Sequence, residues 1–245
     1  DLHVRSRRQR QMCIRDSDHT VYTVDLLGCG RSDKSSITYT NFVYVQMISD
    51  FIKKIIGQKT DVIASGFSGS FVTMACHNEK ELFNKIMLIN PPSLTQLKQM
   101  PNRKDRLLKA ALEIPIFGTL VYHMIVSRDN INNLFIEKMY YNPFHVDNQM
   151  ADAYYEAAHK GGYYTRFLYS SLAAKYININ ICHALKALDN SIYIVEGETE
   201  PNGKAVTNDY CASNPAIEVS VLKETKHLPH VEAPEAFLEQ VKIFF

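Results

Sequence analysis

The sequence predicts an α/β protein with a mostly parallel central sheet, flanking helices and a helical cap inserted between the two halves of the sheet. Three observations predict it. Between residues 20 and 90, short apolar runs bounded by turn residues alternate with stretches of helical period. That rhythm stops at Pro91-Pro92 and gives way to a long, mostly helical pattern reaching about residue 188. Strand-like runs resume at Ser191. A chain of 245 residues, 46% of them apolar, has enough material for one core with an inserted subdomain.

The elements follow in order. TVYTVDLL at 20–27 alternates and is rich in β-branched and aromatic residues, so it predicts a strand leading into the turn GCGRSDK, where Gly28 and Gly30 permit tight backbone. Residues 41–56 carry Phe42, Val45, Ile48, Ile52, Ile55 and Ile56 at helical spacing, with Gly57 as the stop. In TDVIASGFSGSFVTMAC at 60–76, Val62, Ile63 and Ala64 read as a buried strand and Phe71, Met74 and Ala75 as a helix running to about Asn78. Ser68 is expected at the apex between them. Strand, helix and strand imply a right-handed crossover in a parallel sheet. KIMLIN at 85–90 and SIYIVE at 191–196 read as further buried strands, a short helix is expected at 207–213, and AIEVSVL at 216–222 as the next strand. A terminal helix is expected at 234–245, opened by Pro234 and carrying Phe237, Val241 and Phe244 inward. The expected division is 18–93 plus 189–245 for the core and 94–188 for the cap, with 1–17 as a tail. Tyrosine pairs at 140–141, 154–155 and 163–164 in the cap suit either a pocket lining or ordinary helix packing.

Each candidate reactive group follows a strand, where parallel sheets place their ligands. A serine hydroxyl is a weak nucleophile until an imidazole takes its proton, and a carboxylate must hold that imidazole in the right tautomer. Ser68, then Glu200 or Glu198, then His227 supply these groups in the chain order serine, acid, histidine.

Four motifs carry a resemblance over residues 18–245. DLLGCGRSD at 25–33 resembles a DxxGxGxS turn, GFSGS at 66–70 a GxSxG nucleophile elbow, GETE at 197–200 a GxxD acid turn, and KHLPHVEAP at 226–234 a GHxxHxExP region. Together they resemble the α/β-hydrolase family, of the esterase and lipase type with a helical cap. The resemblance implies Ser68 as nucleophile, His227 as base, Glu200 as acid, and the Gly69 N–H as one oxyanion donor. His230 and Glu232 are expected to fix the loop around His227. Ser70 stands where the elbow usually has glycine, Glu200 where aspartate is commoner, and Lys226 where glycine precedes the histidine. None of these departures removes a reactive group.

The expected reaction is hydrolysis of a small or medium apolar carboxylic ester through an acyl-enzyme. Amide, thioester and carbon–carbon bond hydrolysis use the same groups. An aminopeptidase would need an acidic cap residue for the substrate amine, with Glu137, Asp147, Asp152 and Glu156 available by type. A non-catalytic binding protein on the same fold is the remaining class. No cofactor is expected. Histidines 77, 145, 159 and 183 are singletons without ligand spacing, so no metal is expected either.

Residues 1–17 carry five arginines against two aspartates, but no basic stripe continues into the body, so nucleic acid is not an expected partner. RQRQMCIRDS at 8–17 resembles translated sequencing-adapter sequence, which places the native start near Asp18. On that expectation the family's first strands and the loop holding the second oxyanion donor are missing. Losing one donor costs about 2.7–4 kcal/mol of transition-state stabilisation. Five scattered cysteines without a CxxC pair fit free thiols and a cytoplasmic setting, and no apolar run is long enough for a membrane span.

Overall fold

A computed structural model describes residues 19–146 and 148–245. Its sheet has four parallel strands in the order β1 (Thr60–Ser65), β2 (Phe83–Ile89), β3 (Ile192–Gly197) and β4 (Glu218–Leu222). Helix α1 (Asn41–Phe51) precedes β1, and α2 (Phe67–Asn78) connects β1 to β2. Between β2 and β3 lie α3 (Leu94–Leu97), α4 (Arg103–Glu113), α5 (Pro115–Ile125), α6 (Arg128–Leu134), α7 (Asn148–His159), α8 (Thr165–Ala173) and α9 (Cys182–Ala187). Helix α10 (Gly203–Ser213) joins β3 to β4, and α11 (Pro229–Glu232) and α12 (Pro234–Phe244) follow. This is a parallel sheet covered by helices with an inserted helical cap, as the alternating pattern predicts.

Strands β2 and β3 are apolar on both faces because both faces are covered. Ile86, Leu88, Ile192 and Ile194 join Phe71, Val72 and Tyr210 on one side, while Met87, Ile89, Tyr193 and Val195 meet Phe237 on the other. Helix α1 runs on as a π-helical turn over Ile52–Ile56 and ends where Gly57, at φ 72°, returns its N–H to the Ile52 carbonyl. Within the cap, Asn102 and Asp105 form a reciprocal capping box on α4, and Pro115 opens α5 at a position that needs no N–H. Among the described residues no single helix is long and apolar enough to cross a membrane, although α4 and α5, bent at 96°, have that length and composition as a pair.

One expected strand is not formed. Residues 20–27 make no ladder, because a strand exists only through a neighbour that takes its N–H and C=O groups, and among the described residues β1 pairs on its β2 side alone. Instead Leu26 and Leu27 pack on the core and the Leu27 carbonyl accepts the Tyr44 hydroxyl. The turn that follows is self-contained. The Asp25 carboxylate accepts the Arg31 N–H at 2.9 Å, Ser32 Oγ returns to the Asp25 carbonyl, and a Cβ at Gly30 would stand 2.5 Å from that carboxylate.

Candidate active site

The loops after β3 and β4 are sewn together by backbone. Glu198 N–H donates to the Leu222 carbonyl, and Thr199 donates both its N–H and its Oγ1 hydrogen to the Thr225 carbonyl. Gly197 is required at the seam, since a Cβ there would lie 1.9 Å from the Lys226 carbonyl oxygen. The acid turn therefore hangs next to the histidine loop, and Glu200 Oε1 reaches His227 Nδ1 at 3.0 Å. Glu198 points elsewhere and accepts the Glu224 N–H at 3.0 Å. Of the two glutamates open to the sequence, geometry brings Glu200 to the imidazole.

Asn90 holds this half of the site from below, a part its sequence context does not announce. It follows β2 directly, in the left-handed region at φ 41° and 6% exposed, and its amide donates to the Lys226 and His227 carbonyls while its Oδ1 accepts the Gly197 N–H. One side chain thus ties three segments. From above, Glu232 accepts the Lys226 N–H at 2.8 Å and the cap's Tyr141 N–H at 2.7 Å, and the His227 N–H donates to the Met139 carbonyl. Glu232 fixes the histidine loop as expected, and it does so across to the cap.

The elbow is built differently from its expectation. Strand β1 ends at Ser65 and α2 begins at Phe67, so the residue at the apex is Gly66, with φ 58° and ψ −131°. Ser68 lies within the first turn of α2, half-buried, rather than at the junction. The shift arises because the β1–β2 register, with Ser65 opposite Ile89 and the Gly66 N–H on the Ile89 carbonyl, brings the chain to the edge of the sheet two residues before Ser68. The Gly69 N–H is already given to the Gly66 carbonyl at 3.1 Å, so it is not the free donor expected. Gly69 serves packing, since a Cβ would come 3.1 Å from Leu88. Ser70 is fully buried and returns its hydroxyl to the Phe67 carbonyl at 2.7 Å, which explains how a serine is tolerated there. The expectation that the second oxyanion donor is missing concerns the chain before residue 19 and lies outside the described residues.

A cleft of about 380 Å³ joins the two halves. Gly66 and Phe67 line it beside Asn90, Glu196, Glu200 and His227. Glu196, at the end of β3, is 2% exposed with Oε2 unpartnered, and it was not a sequence candidate. Burial pushes its carboxyl above the usual range and the Glu200 charge adds to the rise, against a Thr207 hydrogen bond and the Lys204 charge. Its only signal is a charged residue closing the apolar run SIYIV. Of the acidic cap residues, Asp152 pairs with Arg128, Glu137 borders a second opening beside His227, and Asp147 lies outside the described residues.

Residues 5–240 match the Alpha/beta hydrolase family, and the chain belongs to it. Among solved structures, it is similar to a meta-cleavage product hydrolase from Pseudomonas fluorescens IP01, a mutant form complexed with acetates, at 16% identity and a TM-score of 0.74 over 98% of this chain and 85% of that one. It is also similar to a structure reported with carboxylesterases of the thaumarchaeon Nitrososphaera gargenis, at 16% identity and a TM-score of 0.64 over 90% and 77% of the two chains. The 2-hydroxy-6-oxo-6-phenylhexa-2,4-dienoate hydrolase from Rhodococcus sp. strain RHA1 aligns at 16% identity and a TM-score of 0.68 over 90% and 78%. No curated protein matches the sequence. At these identities the structural likeness concerns the fold.

Proposed function

We propose that the chain hydrolyses a small or medium apolar carboxylic ester, with His227 as general base and Glu200 as the acid that orients it. The observation that carries the reading is the 3.0 Å contact between His227 Nδ1 and Glu200 Oε1. A carboxylate on Nδ1 holds the proton there and leaves the Nε2 lone pair free to take one from a nucleophile. The nucleophile is either Ser68, as the GxSxG motif implies, or a water molecule. Phe67, Pro91, Pro92 and Val206 supply apolar wall to the same cleft. Replacing His227 with alanine removes the base and is expected to lower kcat/KM on p-nitrophenyl butyrate by about 10²–10⁴-fold. Equal turnover in the two proteins would show that His227 is not the base. Amide and carbon–carbon substrates in the same assay define the bond class.

A second reading is favoured by the glycine at the elbow apex. A chain that keeps base and acid but presents no side chain at that point fits a binding protein that holds a carbonyl ligand uncleaved. It predicts ester binding by calorimetry with no turnover above buffer.

A further inference from the structure

The elbow of this fold puts its nucleophile on the sharp strand-to-helix turn, so that the side chain stands above the sheet and the backbone N–H of the next residue faces the developing oxyanion. Backbone angles identify that residue independently of motif. Here it is Gly66, whose φ of 58° and ψ of −131° mark the sharp turn between β1 and α2, while Ser68 lies inside the helix. The next N–H along is that of Phe67, which opens α2 and so has no acceptor within the helix. The Gly69 N–H that a Ser68 apex would require is already bonded to the Gly66 carbonyl. The cleft agrees with the angles: Gly66 and Phe67 line it together with Glu200 and His227. A Cβ built on Gly66 meets no atom within 4 Å, so a side chain at this position would enter open space.

We propose that residue 66 is the nucleophile position of this chain, that glycine occupies it, and that hydrolysis proceeds by direct attack of water without an acyl-enzyme. This rests on the hydrolytic reading above. Water placed over Gly66 gives one proton to His227 Nε2 as its oxygen bonds the ester carbonyl carbon. Collapse of the tetrahedral species breaks the bond to the alcohol oxygen, which takes the proton back from His227. Acid and alcohol leave, and His227 is neutral again. Ser68 plays no covalent part.

The test uses the full chain as wild type, Ser68→Ala, Gly66→Ser and Gly66→Ser combined with His227→Ala. Each is treated with a fluorophosphonate, in which an activated serine oxygen displaces fluoride from phosphorus, and the adduct is located by peptide mass mapping. Turnover of p-nitrophenyl butyrate is followed in parallel. Wild type and Ser68→Ala are expected to stay unlabelled, with Ser68→Ala within about twofold of wild type in turnover. Gly66→Ser is expected to label at residue 66, at least tenfold faster than when His227 is also replaced. Labelling of Ser68 in wild type, or a loss of more than tenfold in Ser68→Ala, would overturn the proposal. Those two measurements decide it even if strain at residue 66 prevents Gly66→Ser from folding. A folded Gly66→Ser that does not label would also overturn the assignment of the apex. If no protein turns over ester while Gly66→Ser labels at residue 66, the hydrolytic reading and its water attack fail, and residue 66 remains the nucleophile position.

Discussion

The two halves of the cleft are held in different ways. The acid–base half consists of loops after β3 and β4 that have no regular structure of their own, yet Gly197, Asn90 and Glu232 lock them by contacts between segments remote in sequence. The elbow half is one continuous strand–turn–helix, and its register is set by the β1–β2 ladder. Contacts between distant segments can be read from a motif only if each partner is distinctive, as GETE and KHLPHVEAP are. A local turn can be read only if one register is possible, and ASGFSGS, with small residues at 64, 65, 66, 68, 69 and 70, admits more than one. The loop half therefore matches its expectation and the apparently simpler elbow does not.

The largest effect is expected where the loop half has no room to yield. Gly197→Ala drives a methyl into the Lys226 carbonyl, and the seam must open or the chain fail to fold, at a cost of about 4 kcal/mol or more. Urea unfolding followed by circular dichroism measures it, and a near-wild-type midpoint would mean that the two loops are not rigidly joined. Asn90→Ala comes next. It strands the Gly197 N–H and removes the donors to two carbonyls, so a loss of about 2–3 kcal/mol is expected together with a fall in kcat through misplacement of His227. Asn90→Asp keeps the acceptor but lacks the donors, and it should not restore activity.

Glu232→Gln tests the link between cap and histidine loop. The amide oxygen can replace one carboxylate oxygen but not both, so either Lys226 N–H or Tyr141 N–H loses its acceptor, worth about 1–2 kcal/mol. Faster hydrogen exchange is expected at whichever of these two N–H groups loses its acceptor, with the elbow unchanged.

The smallest effect concerns Glu196, which lies between the halves. Its carboxyl is held above the usual range by burial, so the native state keeps that proton to higher pH than the unfolded chain. Stability from this group is greatest below about pH 4.3 and falls as pH rises through the raised native value. Glu196→Gln removes the ionisable carboxyl and should raise the melting temperature of the protein at pH 7. The pH dependence above about pH 4.3 should flatten with it. A lower melting temperature in the variant at pH 7 would show that the ionised form is the one the fold prefers.

Much of this is legible in the residues alone. The strands at 62–64, 85–90 and 191–196 and the terminal helix from Pro234 follow from apolar periodicity and turn residues, whereas His227 and a glutamate at 198 or 200 follow from side-chain chemistry after a strand, and the choice of Glu200 from the family resemblance. The run at 20–27 has equally good strand composition and forms none, because composition expresses a preference and pairing needs a partner. Asn90 and Glu196 are invisible at that level because a single polar residue at a strand end gives no sign of what it will face.

By itself the sequence determined the alternation of strands and helices, the helical insertion and the loops that carry acid and base, since each rests on local pattern and on side-chain chemistry. Only the tertiary structure decided which residue stands at the apex of the elbow. That choice depends on where β1 runs out of partner on β2, and a ladder between two strands fixes it to the single residue, where small side chains in a row leave several answers open.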